Sequence, residues 1–199
     1  AAVLQKFLRV VAVKFVLART GKSGIALDSK HFGKLGAAVC AIFVMVATLA
    51  TGFMTDLINS KMPEMPAWLE EAMNALTQGN IWINLLCVSV MAPLFEEWLC
   101  RGMILRGLLN HKKEDGSPLL KPIWAIVISA LFFAVIHGNP WQAIPAFLLG
   151  CLFGFVYYKT GSLWLTMLMH FTNNTFAIIC SNIGSLEGMT FWTDVMSAR

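Results

Sequence analysis

The sequence predicts an all-α, polytopic transmembrane helix bundle of about five spans, with amphipathic helices at its interfaces. Three observations predict it. Of the 199 residues, 57% are hydrophobic and 13% charged, with a mean hydropathy of +0.68, whereas a soluble domain carries about 25% charge. Residues 35–55 and 122–158 contain no formal charge, and about 20 apolar residues are enough to cross a hydrocarbon core. The remaining charges gather between the apolar runs, so the net charge of +4 is a topology signal and gives no reason to expect a nucleic-acid partner.

Residues 1–34 form a basic segment, with Lys6, Arg9, Lys14, Arg19, Lys22, Lys30 and Lys34 against one acid, Asp28. Residues 3–18 read as an amphipathic helix lying on the cytoplasmic membrane face, because Lys6, Arg9 and Lys14 argue against a span. The end of an upstream span is the alternative. No cleavable signal peptide is expected, since the first long apolar run starts too far in.

Residues 35–78 comprise the first span, 35–55, and an outer connection. That connection carries Asp56, Glu64, Glu70 and Glu71 against Lys61, and Pro63 and Pro66 precede AWLEEAMNAL, a short amphipathic helix expected on the surface. Residues 79–186 form a four-span core and 187–199 a short tail. The second span runs from 80 to about 109, and Pro93 should kink it by freeing the carbonyl of Ser89. The loop 110–121 is turn chemistry.

Residues 122–158 are too long for one crossing, about 55 Å as a single helix. They are therefore a hairpin broken at His137-Gly138-Asn139-Pro140. Its second arm carries Ala146, Gly150 and Gly154, a spacing that lets helix backbones approach closely. Lys159 to Gly161 reads as a turn, and 160–186 as the last span. The segments before span one, towards the end of and after span two, and after span four hold 13 of 15 Lys/Arg, leaving Lys61 and Arg199 opposite. The positive-inside rule then makes the amino terminus cytoplasmic. Compact spans and short loops point to a bacterial inner membrane.

Cys40, Cys87, Cys100, Cys151 and Cys180 all lie in apolar runs, odd in number and without a CxxC. Buried free thiols are expected.

The chemistry concentrates in MAPLFEEWLCRGMILR, 91–106. Two carboxylates in a membrane helix need a partner, a wet cavity or a proton. Glu97 and Arg101 are four apart and can pair. Glu96, about 100° further round the helix, is left for another role. His137 ends the third span, and His170 lies in the fifth with Asn174 one turn on. Either histidine alone could simply pack, but with Glu96 they supply a general base, a proton relay and oxyanion donors. Those parts suffice for amide hydrolysis by activated water. If every span began at a membrane face, Glu96 and His137 would stand about 24 Å apart. Sharing a site requires the third span to begin outside the core, or its turn to be sunk within the bundle.

Glu96-Glu97-xxx-Arg101, Phe133-xxx-His137 and His170-xxx-Asn174, in that order on separate spans, resemble the EExxxR, FxxxH and HxxxN motifs of the intramembrane CAAX-protease and bacteriocin-processing (CPBP, or Abi) family. The resemblance implies an intramembrane endopeptidase acting on a membrane-associated peptide or protein. In it Glu96 activates water with help from His137, and His170 and Asn174 support the oxyanion. Glu97 and Arg101 support the site or orient substrate, and Phe133 packs. Cys100, one turn beyond Glu96, is expected to line the cavity. No cofactor is implied. The alternative enzyme is a zinc protease with Glu96, His137 and His170 as ligands, since both residue types bind zinc. The non-enzymatic alternative is a membrane scaffold or immunity-type protein, with a membrane protein as partner, that uses the same residues as interhelical polar contacts.

Overall fold

The computed structural model describes residues 27–29, 31–77 and 79–182. The expected amphipathic helix at 3–18 and the tail at 187–199 lie outside them. Six helices follow in order: α1 (Gly36–Asn59), α2 (Ala67–Thr77), α3 (Ile81–Asn110), α4 (Pro122–Ile136), α5 (Pro140–Thr160) and α6 (Leu163–Asn182). No strand occurs among the described residues; the 110–121 loop is closed by one isolated bridge between Lys112 and Pro118. The chain is an all-α integral membrane bundle.

Among the described residues three helices are long and apolar enough to cross a bilayer: the stretch Gly33–Asn59 that includes α1, α3, and α5. The other two expected spans are different. α4 is apolar but only 15 residues long, about 22 Å, and α6 carries Thr, His and Asn side chains along its 20 residues. The expected turn at Lys159 to Gly161 shifts by a residue or two. α5 runs through Thr160 and stops where Gly161 adopts φ +63°, a left-handed backbone that glycine adopts without steric cost.

The bundle is a ring in which α1 packs on α5 and α6, α3 packs on α4 and α6, and α4 closes against α5. The α4–α5 contact is the most extensive. It depends on the small residues: a Cβ on Gly150 would lie 3.1 Å from Ala130 Cβ, and one on Gly154 3.0 Å from Ile126 Cγ2. Ala146 is buried beside Phe133 and Ala134.

Residues 27–29 and 31 dock under the α5–α6 junction. Ser29 N–H donates to Gly161 O (2.7 Å) and His31 N–H to Thr160 O (3.1 Å). Tyr157 Oη donates to Leu27 O (3.0 Å), and the Asp28 carboxylate accepts from Leu163 N–H (2.8 Å). Asp28 thus supplies the first turn of α6 with a cap from 135 residues away.

All five cysteines are free, but only Cys100 is fully buried, and Cys87 is exposed. The expectation of uniformly buried thiols fails at Cys87. In a membrane helix an apolar environment does not require the interior, because the outward face meets lipid.

Candidate functional site

The site grows from the middle of α3. Around the six α-helical residues Ala92–Glu97, the turns Leu85–Met91 and Trp98–Leu105 are π-helical. In the wider register Ala92 N–H donates to Cys87 O. The next donor in that register would be Pro93, which has none. The carbonyl left without a backbone donor is therefore that of Val88, where an α-register would free that of Ser89. Asn174 of α6 takes it up, its Nδ2 donating to Val88 O at 2.8 Å. The proline thus creates the acceptor that anchors Asn174, and the irregular turn falls at the chemistry, as π-bulges often do.

Glu97 and Arg101 form the buried heart of the site. Both are wholly inaccessible, and Arg101 Nη1 donates to Glu97 Oε1 at 2.7 Å. Arg101 Nη2 donates to Gly150 O at 3.1 Å. Its guanidinium lies 4.5 Å from the Phe133 ring centre and 5.2 Å from that of Phe153. Burying two charges costs several kcal/mol each, which pairing, a carbonyl acceptor and two aromatic faces offset. Pairing alone was expected of Glu97, yet it has a second neighbour. His170 Nδ1 lies 3.0 Å from the same Oε1, an acceptor, so the proton resides on Nδ1.

The Nε2 of His170 then faces Glu96. It is 3.9 Å from Glu96 Oε2, beyond direct hydrogen-bond reach, and that oxygen is buried without a partner. Across this gap a water can bridge the two acceptors. His137 caps α4 with Nδ1 2.7 Å from Phe133 O, which leaves its Nε2 as the free nitrogen. Phe133 stands edge-on to both rings, 4.9 Å from His137 and 5.5 Å from His170. The structure therefore groups Glu96, Glu97, Arg101 and His170 directly, and joins His137 to them through Phe133.

A cavity of about 530 Å³ opens beside the cluster, lined by His137, His170, Asn174, Phe133 and Phe153 among others. The turn that follows α4 brings His137 to the wall of this cavity. That turn is covered by protein. Trp141 Nε1 donates to Pro63 O (2.9 Å), and Asn59 Nδ2 to Trp141 O (3.4 Å).

Two expectations change here. The amphipathic α2 does not lie idle on the surface: Leu69 is buried and Met65 and Met73 border the cavity, so its apolar side and the preceding loop cover the mouth. Cys100 does not line the cavity but packs with Phe133, Ala134 and Ala146, and its carbonyl accepts from Ser129 Oγ at 2.8 Å. The continuing π-turns rotate it away from the Glu96 side. Asp28 was not recognisable from sequence as a cap for α6, because its partner is remote in the chain. As to zinc, among the described residues no three His, Cys, Asp or Glu side chains are grouped so as to hold a metal ion.

Residues 78–176 match the sequence model described as "Type II CAAX prenyl endopeptidase Rce1-like". The chain is similar to the "Membrane-embedded CAAX protease MroQ" of Staphylococcus aureus (strain USA300), 33% identical over 101 residues, which are 50% of this chain and 40% of that protein. It is also similar to the "Putative membrane peptidase YdiL" of Bacillus subtilis (strain 168), 28% identical over 91 residues, 46% of this chain and 34% of that one. The matched stretches thus cover well under half of either relative. No solved structure matches.

Proposed function

Through residues 78–176 the chain belongs to the Rce1-like, type II CAAX prenyl endopeptidase family, and from that membership we propose that it is an intramembrane endopeptidase that hydrolyses a peptide bond of a membrane-associated peptide or protein through a glutamate-activated water. One observation carries the mechanism: the His170 ring stands between the two carboxylates, Nδ1 at Glu97 and Nε2 across a 3.9 Å gap from the unpartnered Glu96 Oε2.

In this reading Glu96 accepts a proton from water held in the gap while the oxygen attacks the scissile carbonyl. The proton goes on to the departing amine, so one water is consumed and two peptides leave. His137, with Nε2 free toward the cavity, relays that proton. The Nε2 edge of His170, donating when that nitrogen carries a proton, and the second N–H of the Asn174 amide face the developing oxyanion. Glu97 and Arg101 act through His170 by fixing its tautomer and tilt, in the way an orienting carboxylate serves a catalytic histidine. The distribution of Lys and Arg supports a cytoplasmic amino terminus, and the compact spans with short loops support a bacterial inner membrane.

The test is hydrolysis by purified protein in proteoliposomes, using a farnesylated carboxyl-terminal peptide and its unmodified counterpart. Glu96→Gln should lower the rate by about 10²-fold or more with the thermal unfolding midpoint unchanged. Full activity in that variant would sink the mechanism. Activity of the wild-type protein should survive exhaustive chelation and dialysis; loss that zinc restores would move the assignment to the metalloprotease.

A further inference from the structure

A second cavity, of about 520 Å³, adjoins the first and shares Asn59, Pro145, Leu149 and Asn173 with its wall. The proposed hydrolysis leaves it unused. It lies between α1 and α6, where Phe53 meets Phe176 edge-on at 5.7 Å. Gly52 of α1 faces Asn173 of α6: a Cβ there would lie at an ordinary contact distance, 3.8 Å, from Asn173 Oδ1.

The hydrogen bonds around this cavity fix which atoms remain free. Asn59 gives its Nδ2 to the Trp141 carbonyl, which can only accept, so its buried, partnerless atom is the oxygen. Asn174 gives its Nδ2 to Val88 O, so its oxygen receives Asn173 Nδ2 (3.2 Å) and Asn173 Oδ1 faces Gly52. Thr55 Oγ1 is spent on Gly52 O. The Asp56 carboxylate lines the same cavity and has no ion-pair or hydrogen-bond partner among the described residues. Asp56, Asn59 and Asn173, whose uncommitted oxygens are all acceptors, therefore line one cavity, and the carboxylate gives it a negative charge.

We propose that this cavity is a substrate subsite that seats a cationic side chain, arginine or lysine, with Asp56 as its counter-charge and the Asn59 and Asn173 oxygens as acceptors. Arginine suits it best, since its planar fork presents five donors. Asn173 follows His170 by three residues on α6, about 4.5 Å along the axis, so the cation belongs within a residue or two of the cleaved bond. Asp56 and Asn59 lie on α1, outside the 78–176 family match. The preference is thus encoded by a part of the chain that the match does not cover.

The proposal rests on the protease reading, and binding to a cleavage-dead protein separates the two. Two dye-labelled apolar decapeptides, alike except for a central arginine or glutamine, are titrated into Glu96→Gln protein in nanodiscs and followed by anisotropy. The arginine peptide should bind about tenfold more tightly. Adding Asp56→Asn should close that gap to within about twofold, and Asp56→Glu should restore it, which excludes misfolding as the cause. Equal binding of the two peptides, no binding of the arginine peptide, or a gap that survives Asp56→Asn would overturn the subsite. Hydrolysis by wild-type protein without discrimination in binding would leave the protease standing, and discrimination without any hydrolysis would leave only the subsite.

Discussion

Arg101 is the residue on which the buried site depends most. Its guanidinium pairs with Glu97, holds the Gly150 carbonyl and lies against Phe133 and Phe153. Arg101→Ala removes the guanidinium that pairs with Glu97, and breaking a buried pair in this way costs about 3–5 kcal/mol. Thermal unfolding in detergent should register that loss, and Arg101→Lys should recover only part of it because an ammonium cannot serve both acceptors in the same plane. At this scale the sequence was informative about near neighbours and silent about far ones. Glu97 and Arg101 could be paired by their four-residue spacing. The contact of Glu97 with His170 spans 73 residues and depends on how α3 meets α6. The same holds for Asn173, whose uncommitted oxygen is identified only once Asn174 is tied to Val88.

The α4–α5 hairpin shows what small residues do for an element. A valine at position 150 would press its Cβ to 3.1 Å from Ala130 Cβ and 3.2 Å from Ala130 Cα. Gly150→Val should destabilise the protein by about 1–3 kcal/mol through overpacking. Because Gly150 O also receives Arg101, it should also slow hydrolysis, a loss that steady-state kinetics at a temperature where the variant stays folded will isolate. At the other end of α6, Asp28→Ala removes the cap on Leu163 N–H and should cost about 1 kcal/mol, read as a lower unfolding midpoint. The hairpin and its turn at His137 to Pro140 were legible because 37 uncharged residues cannot make one crossing. The π-helical turns of α3 were not. Pro93 signals a break, but the register on either side is chosen by packing against α4 and α6.

For the whole molecule, the orientation proposed from the distribution of Lys and Arg can be tested directly. In intact cells a membrane-impermeant maleimide should label Ser60→Cys from outside, and Lys112→Cys only after permeabilisation. The reverse pattern would invert the bundle and place the cavity mouth under Pro63 and Trp141 in the cytoplasm. The ring of helices explains why the depth of His137 could not be settled from span lengths alone. Counting from the membrane faces assumes helices of equal length, and α4, with 15 residues, is the exception.

That exception bears on the lipid as well as on the protein. A 15-residue helix of about 22 Å falls some 8 Å short of a hydrocarbon core about 30 Å thick. On the flank where α4 exposes Ile123, Ile128, Leu131 and Val135, the acyl chains must shorten to meet it, at a fraction of a kcal/mol for each Å of mismatch. A dimple of this kind brings water and headgroups closer to His137 and, in the proposed protease, would carry a tethered peptide down toward the cavity. Bilayer thickness would then act as a control on the proposed hydrolysis. Hydrolysis should be faster in short-chain than in long-chain phosphatidylcholine vesicles of equal fluidity.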